Sequence, residues 1–176
     1  MRKLVLYISM SVDGFLATKD DDLSWLSIVE KEGEDYGYEY FYKDVDAYIV
    51  GKNTYDKILS LTGGFLPQAK NLDCYVITRQ DIEDKEGVKF YNGDLETLIN
   101  RLKAKEGKNI VCDGGGQIVK MLMDKNLIDE YIISVIPIFL GDGKRLFMGG
   151  INTLDLKALP CKYFDTGLVQ LHYIKQ

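Results

Sequence analysis

Two turns in this chain lead from a strand through glycine into a helix. Residues 110–122 read Ile-Val-Cys-Asp-Gly-Gly-Gly-Gln-Ile-Val-Lys-Met-Leu, which predicts a buried strand, a turn without side chains and a helix with one apolar face. A shorter example follows the apolar residues 47–50 and begins at Gly51-Lys52. Backbone N–H groups at such helix starts have no intrahelical partner, so they can bind phosphate. A glycine turn that serves only tight packing is the alternative for each.

The standard phosphate-binding motifs do not account for these turns. A Walker A loop needs glycine five residues before Gly51, where the chain has Asp46. The dinucleotide fingerprint G-x-G-x-x-G fails because Gly114-x-Gly116 is followed by Val119 at its last position.

What remains is a pair of helix starts with Thr78 and Arg79 between them in sequence. Two helix starts and a guanidinium suit a pyrophosphate and a separate ribose phosphate, which are features of NADPH. Ordinary surface charge is the alternative interpretation of Lys52 and Arg79.

Asp113 is the acidic residue beside the glycine run. Hydride transfer needs no protein nucleophile, since it requires only a nicotinamide and an electrophilic carbon held together in a dry pocket. This agrees with a chain whose single histidine, His172, leaves little material for a metal site or a catalytic histidine pair. We hypothesise that Asp113, or a water it orients, serves the polar edge of the substrate. The alternative is a carboxylate that only stabilises a helix start.

Composition limits the class of protein. With 176 residues, of which 46% are hydrophobic and 28% charged, we expect one α/β domain over residues 1–176. A net charge of -5 without a basic run disfavours nucleic acid as a partner. The apolar runs are too short to span a membrane and the first resembles a strand more than a signal peptide, so we expect a cytoplasmic protein. Cys74, Cys112 and Cys161 have apolar neighbours, which predicts reduced core thiols.

Strands alternate with helices along the chain. The patterns predict strands at residues 3–10, 47–50, 74–78, 88–91, 110–112 and 129–137, and helices at 23–43, 52–61, 95–102 and from 117 onward. The first helix is expected to be interrupted near Gly33 and Gly37, and its aromatic residues are expected to serve core or dimer packing. Two long strands around Asp165-Thr166-Gly167 predict an antiparallel C-terminal hairpin. In a largely parallel sheet, the turns after Val50, Ile77 and Cys112 would lie on one side, where ligands bind.

Six segments in this order carry a resemblance to a known family. They are residues 11–17 (SVDGFLA), 24–26 (SWL), 48–55 (YIVGKNTY), 76–79 (VITR), 112–116 (CDGGG) and 127–130 (LIDE), the last followed by Pro137 and Gly141-Asp142-Gly143. From residue 3 to about 175, the chain resembles the dihydrofolate reductase superfamily and, within it, the C-terminal reductase domain of the bifunctional riboflavin-biosynthesis protein. The resemblance implies a three-layer α/β/α fold with a mixed sheet of about eight strands.

The resemblance also implies roles for single residues. The expected NADPH contacts are Ala17 in a mobile loop over the nicotinamide, Trp25 beside the cofactor, Gly51, Lys52, Asn53 and Thr54 at the first phosphate helix, Thr78 and Arg79 near the adenosine ribose and its phosphate, and Gly114, Gly115, Gly116, Gln117 and Ile118 at the second phosphate site. Asp113 matches the acidic position that faces the pyrimidine, and a cis peptide is implied within the glycine pair. We expect Asp13, Ser24, Tyr55 and Asp113 to contact the substrate.

The expected function is therefore an NADPH-dependent reductase that transfers hydride to a small heterocyclic, carbonyl or imine substrate. A pyrimidine of the 5-amino-6-(ribosylamino)uracil type, as in riboflavin biosynthesis, is one candidate. Dihydrofolate reduction is an alternative, although Glu30, Glu32, Glu34 and Asp35 do not match cleanly the acidic residue that binds the pterin. A non-catalytic NADP(H) sensor or dimeric scaffold is another alternative, and a phosphate-binding α/β domain unrelated to nicotinamide is a third. The exposed sheet edge predicts a homodimer.

Overall fold

A single mixed sheet forms the centre of the molecule. The computed structural model describes residues 2–150 and 152–176. Its sheet contains β1 (Leu4–Ser11), β3 (Val45–Gly51), β4 (Asp73–Ile77), β5 (Val88–Tyr91), β6 (Asn109–Cys112), β7 (Glu130–Ile136), β9 (Leu156–Ala158), β10 (Lys162–Tyr163) and β11 (Val169–Lys175). A separate pair joins β2 (Phe15–Ala17) to β8 (Lys144–Arg145).

The strand order is β10-β11-β7-β1-β6-β3-β4-β5, with β9 paired to β11. The six strands from β7 to β5 are parallel to their neighbours, whereas β11 runs antiparallel to β7. The carboxyl ends of six strands therefore meet along one border of the sheet, which we call the carboxyl edge. This confirms the predicted mixed sheet, with nine strands where about eight were expected.

Helices cover both faces of the sheet and complete three layers. They are α1 (Tyr38–Tyr42), α2 (Lys52–Thr62), α3 (Leu95–Lys103) and α4 (Gly116–Asp124), with 3₁₀ helices at Ser24–Val29 and Pro67–Lys70. The face that packs against α3 and α4 holds the larger apolar cluster, while α1 and α2 pack on the opposite face. As predicted, Asp94 caps α3 by accepting a hydrogen bond from the Thr97 N–H at 2.7 Å. Among the described residues, no helix combines the length and apolarity needed to cross a membrane.

The predicted helix over residues 23–43 is much shorter than expected, whereas its predicted interruption near Gly33 and Gly37 is confirmed. Only the 3₁₀ helix Ser24–Val29 and the single turn of α1 form there. Gly33, Tyr36 and Gly37 all have positive φ angles, between 56° and 81°, and right-handed helix cannot pass through such residues. The Asp35 carboxylate accepts hydrogen bonds from the N–H groups of Gly37 and Glu39, so it fixes the bend and starts α1.

The C-terminal hairpin is less regular than predicted. β11 has seven residues, but the strand opposite it is divided into the short β9 and β10. Pro160 lies between these two and has no N–H to donate to a ladder. Cys161 beside it is only half-buried, which corrects the prediction that all three cysteines are core thiols, while Cys74 and Cys112 are buried and free as expected.

The packing of α4 gives a test of the core. Leu122 is fully buried, whereas its neighbour Met121 is 45% exposed. We expect Leu122→Ala to lower the free energy of unfolding by about 2–5 kcal/mol, because the cavity adds to the lost burial. Met121→Ala on the same helix should change it by about 0.5 kcal/mol or less. Urea unfolding followed by circular dichroism measures both, and equal losses would contradict this packing.

Candidate active site

The two glycine turns lie side by side at the carboxyl edge. Gly51 ends β3 and precedes α2, and Gly115 precedes α4. Because β3 and β6 are adjacent and parallel, the two turns meet, and the Gly51 N–H donates to the Gly114 carbonyl oxygen at 2.8 Å. Neither helix start has a side-chain cap. Main-chain N–H groups of two helices are thus gathered at one place, as a pyrophosphate would need.

Tight packing also requires the absence of side chains in these turns. A Cβ at Gly51 would lie 2.9 Å from Ile118 Cγ1, and one at Gly115 would lie 2.9 Å from Thr54 Oγ1. A Cβ at Gly116 would collide with the main-chain oxygen of Arg145. The peptide bond between Gly114 and Gly115 is cis, as the resemblance implied.

Thr78 and Arg79 extend the same edge by one strand. They follow β4, which pairs with β3, and Arg79 is exposed there. Lys52 behaves differently, since its ammonium forms an ion pair with Asp56 one turn along α2, at 2.6 Å. The positive charge of Lys52 is therefore paired with a carboxylate of the same helix, which agrees with the surface-charge interpretation.

Asp13 connects two loops over the carboxyl edge. Its carboxylate accepts hydrogen bonds from the Ser11 hydroxyl at 2.6 Å and from the N–H groups of Leu140 and Gly141. The Ser11 hydroxyl, followed by these N–H groups, holds the pKa of Asp13 below its usual value. The structure therefore gives Asp13 a loop-tying role, and its predicted contact with a substrate stays a prediction.

Ala17 lies in β2, which pairs with β8 close to the start of α4. The Arg145 main chain contacts Gly116, and its guanidinium lies over the Phe15 ring at 4.7 Å. Sequence reasoning missed Arg145. The signal available was a cation directly after the glycine-rich loop 141–143.

Three more residues were predicted to contact the cofactor or the substrate. The Ser24 hydroxyl donates to Asp22 at 2.6 Å at the beginning of the 3₁₀ helix. Trp25 is buried with Ile136 and Leu168, and its indole N–H has no hydrogen-bond partner in the described part of the chain. Tyr55 is 4% exposed in the core beneath α2, with its ring 5.5 Å from that of Phe90. The roles predicted for these residues stay predictions.

Asp113 follows β6 and lies beside Tyr48. Its carboxylate accepts a 2.5 Å hydrogen bond from the Tyr48 hydroxyl, and its N–H donates to the Ile49 carbonyl at 3.0 Å. Burial raises the pKa of Asp113 to about 6, and the hydrogen bond from Tyr48 offsets this only in part. The carboxyl group thus changes charge close to neutral pH. Within residues 2–150 and 152–176, this carboxylate accepts its hydrogen bond from a tyrosine and not from an N–H group of α4.

A group of four tyrosines begins beside this carboxyl group and extends away from it. Tyr48 and Tyr42 are close enough for the Asp113 charge to raise the pKa of each, after desolvation as the larger cause. Tyr42 stacks on Tyr38 at 4.2 Å between ring centroids, and Tyr7 lies 6.4 Å from Tyr42. We call these four side chains the tyrosine layer. Sequence reasoning missed it, although strand alternation places Tyr48 and Asp113 on one face of their paired strands.

A cleft of about 610 Å³ begins at the tyrosine layer. Its floor is formed by β1 and β7, and the segment that includes the 3₁₀ helix and the start of α1 forms its rim. It is lined by Tyr7, Ser9, Leu26, Val29, Glu30, Lys31, Glu32, Glu34, Asp35, Tyr36, Tyr38, Ser134, Ile136 and Leu168. Asp113 is not among these residues, whereas Tyr7 and Tyr38 are.

Comparisons with known proteins agree with this geometry. The family model of the RibD C-terminal domain matches residues 2–170. The chain is 42% identical over 175 residues to YwjB of Bacillus subtilis, an uncharacterised protein, covering 99% of this chain and 98% of that one. It is 26% identical to YyaP of the same organism, also uncharacterised, covering 98% and 94% of the two chains.

Solved structures share the fold. A protein of Shewanella sp. PV-4, described as a riboflavin biosynthesis protein, has a TM-score of 0.89 and 28% identity, with 99% of both chains covered. A deaminase/5-amino-6-(5-phosphoribosylamino)uracil reductase of Thermotoga maritima has a TM-score of 0.76 at 15% identity, covering 99% of this chain and 57% of that one. RibD of Acinetobacter baumannii has a TM-score of 0.75 at 18% identity, covering 100% and 58%. At such identities the last two support the fold alone, and it is the dihydrofolate reductase-like fold expected.

The close contacts at Gly116 predict that alanine destabilises the protein more at this position than at Gly149. Gly116→Ala should destabilise the protein by about 1–3 kcal/mol, because the new methyl group meets main chain that cannot rotate away. Gly149→Ala is the matched control, since its Cβ would meet nothing within 4 Å. Thermal unfolding of both variants tests this, and equal melting temperatures would contradict the contact.

The raised pKa of Asp113 predicts a pH-dependent stability. An unfolded Asp titrates near pH ~3.9, whereas the folded pKa is about 6. The stability that the protonated group contributes is therefore complete below pH ~4 and lost as pH rises through about 6. Relative to Asp113→Asn, the wild type should lose stability across this window.

Urea midpoints between pH 3.5 and pH 8 measure that difference. Tyr48→Phe should move the upper end of the window to higher pH, because the Tyr48 hydroxyl lowers the Asp113 pKa. Parallel curves for wild type and Asp113→Asn would show that Asp113 titrates normally.

Proposed function

Because the chain belongs to the RibD C-terminal domain family, we propose that it is a pyrimidine reductase-like oxidoreductase that uses NADPH. The substrate is a small heterocyclic, carbonyl or imine compound that receives a hydride. The name of the Thermotoga maritima relative supports a pyrimidine as one member of this class.

The observation that carries the proposal is the junction of the two glycine turns. The Gly51 N–H bonds to the Gly114 carbonyl, so two helix starts face one small region of the carboxyl edge. Cβ atoms at Gly51, Gly115 or Gly116 would fill this region or collide with its walls. A concave main-chain surface of this kind fits a pyrophosphate, which approaches backbone N–H groups closely.

Specific residues would hold the cofactor. The first turns of α2, with Asn53 and Thr54, and of α4, with Gln117 and Ile118, offer main-chain donors to the pyrophosphate. Thr78 and Arg79 would contact the adenosine ribose and its phosphate, and the main-chain oxygen of Arg145 lies beside Gly116 at the start of α4. When bound, NADPH supplies the hydride. The chain's task is to orient the two reactants and exclude water.

The cleft beyond the tyrosine layer is the proposed substrate site. Leu26, Val29, Ile136 and Leu168 give it an apolar end beside the carboxyl ends of β1 and β7. Because Asp113 lies outside the lining, its proposed effect passes through the tyrosine layer, and we treat it as a positioning residue. One domain over residues 1–176, a homodimer and a cytoplasmic location remain parts of the proposal.

NADPH oxidation at 340 nm with a panel of pyrimidines, pterins and small carbonyl or imine compounds tests the reductase. Turnover of any of them supports it, and turnover restricted to dihydrofolate would favour that alternative. Saturable NADPH binding without any turnover would favour the non-catalytic sensor. Absence of NADPH binding would overturn the proposal.

Arg79 gives the sharpest test of the cofactor. Arg79→Ala should weaken NADPH binding by about tenfold to a hundredfold, because one charge-assisted contact is lost. The affinity for NADH should stay within about twofold of the wild-type value. Arg101→Ala is the matched control, since this exposed arginine lies in the last turn of α3, which runs back from the carboxyl edge. Isothermal titration measures both nucleotides, and equal effects on NADPH and NADH would remove Arg79 from the phosphate site.

A further inference from the structure

A second cavity, of about 220 Å³, lies on the sheet face that carries the short helix α1. We call it the β11 cavity. Tyr7 is the one described residue that lines both this cavity and the cleft. Its floor comes from alternate residues of three adjacent strands, which share one face. They are Val5 and Tyr7 on β1, Glu130 and Ile132 on β7, and Gln170 and His172 on β11.

Gln170 presents an amide oxygen without a partner to the β11 cavity. This side chain is only 5% exposed, and it lines the β11 cavity but not the cleft. Its amide nitrogen donates to the Tyr36 carbonyl oxygen at 3.4 Å and to the Ser134 hydroxyl at 3.3 Å, and both of these residues line the cleft. A carbonyl oxygen can only accept, which fixes the orientation of the amide.

The Gln170 oxygen therefore lies on the side of the amide away from the cleft lining. Within residues 2–150 and 152–176 it accepts no hydrogen bond. Buried amide oxygens in proteins are normally hydrogen-bonded. A buried acceptor that has no partner and lines a cavity indicates a ligand that donates a hydrogen bond there.

His172 adds a second acceptor to the same wall. It is two positions from Gln170 on β11, so the two side chains point to one face about 6–7 Å apart along the strand. The His172 Nε2 lies 2.6 Å from a Glu130 carboxylate oxygen, which can only accept, so Nε2 carries the hydrogen. In the neutral ring Nδ1 is then an acceptor, and in the described part of the chain it has no hydrogen-bond partner.

The remaining walls are largely apolar and admit one ring. Val5 and Ile132 are buried beneath the cavity. The rings of Tyr7 and Phe41 stack with 4.3 Å between their centroids, so this aromatic wall is held in place. Sites for drug-sized ligands have volumes of roughly 300–1,000 Å³. At about 220 Å³ the β11 cavity fits a smaller molecule.

The charges around the β11 cavity offset one another. Glu130 is paired with Lys3 at 3.0 Å as well as with His172. Asp44 and Lys162 also line the cavity, and these two exposed side chains carry opposite charges. No net field of either sign therefore selects an anion or a cation, and a neutral ligand fits this wall.

We propose that the β11 cavity binds a small neutral aromatic ring that carries an N–H donor group. One N–H would bind the Gln170 oxygen, and His172 Nδ1 would accept from a second. The ring would pack on Ile132 and on the stacked Tyr7–Phe41 pair. This site is separate from the proposed substrate cleft. Because Tyr7 lines both, its occupant contacts a side chain that also faces the substrate, which is a position suited to an effector.

Benzamide and N,N-dimethylbenzamide test this site. They share the ring and the carbonyl group, but only benzamide has N–H donors. We expect benzamide to bind at least about tenfold more tightly, since the dimethyl compound leaves the buried oxygen unpaired. Titration of the ¹⁵N-labelled full chain, followed by NMR, measures both affinities. The benzamide shifts should centre on the Gln170 side-chain amide and on His172, and not on Ser9 and Leu26 of the cleft.

Variants at the amide locate the contact. Gln170→Met keeps the length of the side chain but removes the oxygen, so it should weaken benzamide binding by about tenfold or more. It also removes the N–H bonds to Tyr36 and Ser134. Ser134→Ala is therefore the matched control, because it removes one of these bonds and leaves the Gln170 oxygen in place. Its affinity for benzamide should stay within about twofold of the wild-type value.

The wild-type shift pattern tests the site even if Gln170→Met does not fold. Absence of benzamide binding, equal affinities for the two amides, or shifts that centre on the cleft would each overturn the proposal. Equal weakening by Gln170→Met and Ser134→Ala would also overturn it. None of these measurements uses NADPH, so their failure leaves the proposed reductase as it stands, and a failure of NADPH binding leaves this site intact.

Discussion

The parallel pairing of β3 with β6 is the constraint on which the rest of the site depends. It sets Gly51 beside Gly114, and the hydrogen bond between them joins the ends of two strands to the starts of two helices. Side chains at Gly51, Gly115 and Gly116 would come too close to Ile118, Thr54 and the Arg145 main chain, respectively. The same lack of Cβ atoms that permits this packing leaves backbone donors open to a ligand. Packing and binding were alternatives at the level of sequence, yet this one geometry is compatible with both.

Burial of Asp113 is the second feature that organises the molecule. Taking a carboxyl group away from water raises its pKa to about 6, and one hydrogen bond from Tyr48 compensates only partly. Tyr48 and Tyr42 lie close to this carboxyl group, and Tyr42 stacks on Tyr38, which lines the cleft. Aromatic packing therefore connects Asp113 to the cleft.

Local patterns predicted most elements well. The strands ending at Gly51, Ile77, Tyr91 and Cys112 were placed within two residues at each end because each is an apolar run that fills the core. α3 was found from its spacing and its Asp94 cap, which the structure confirms. The segment 23–43 was misjudged because its apolar spacing resembles a helix, while three residues with positive φ and the Asp35 cap direct the chain into a bend. That bend places Glu30, Glu32, Glu34 and Asp35 at the rim of the cleft over the sheet.

The sequence by itself determined the glycine turns, the order of strands and helices, and the positions of Asp113, Thr78 and Arg79, because these follow from residue type and short-range periodicity. Only the tertiary structure decided that Tyr55 is buried in the core and that Asp113 bonds to Tyr48. It also decided that Ser9 and Ser134 share the floor of an acidic cleft. These contacts join residues 65 or more positions apart, so they depend on strand order and on the course of irregular loops. Neither is encoded in any local pattern of the chain.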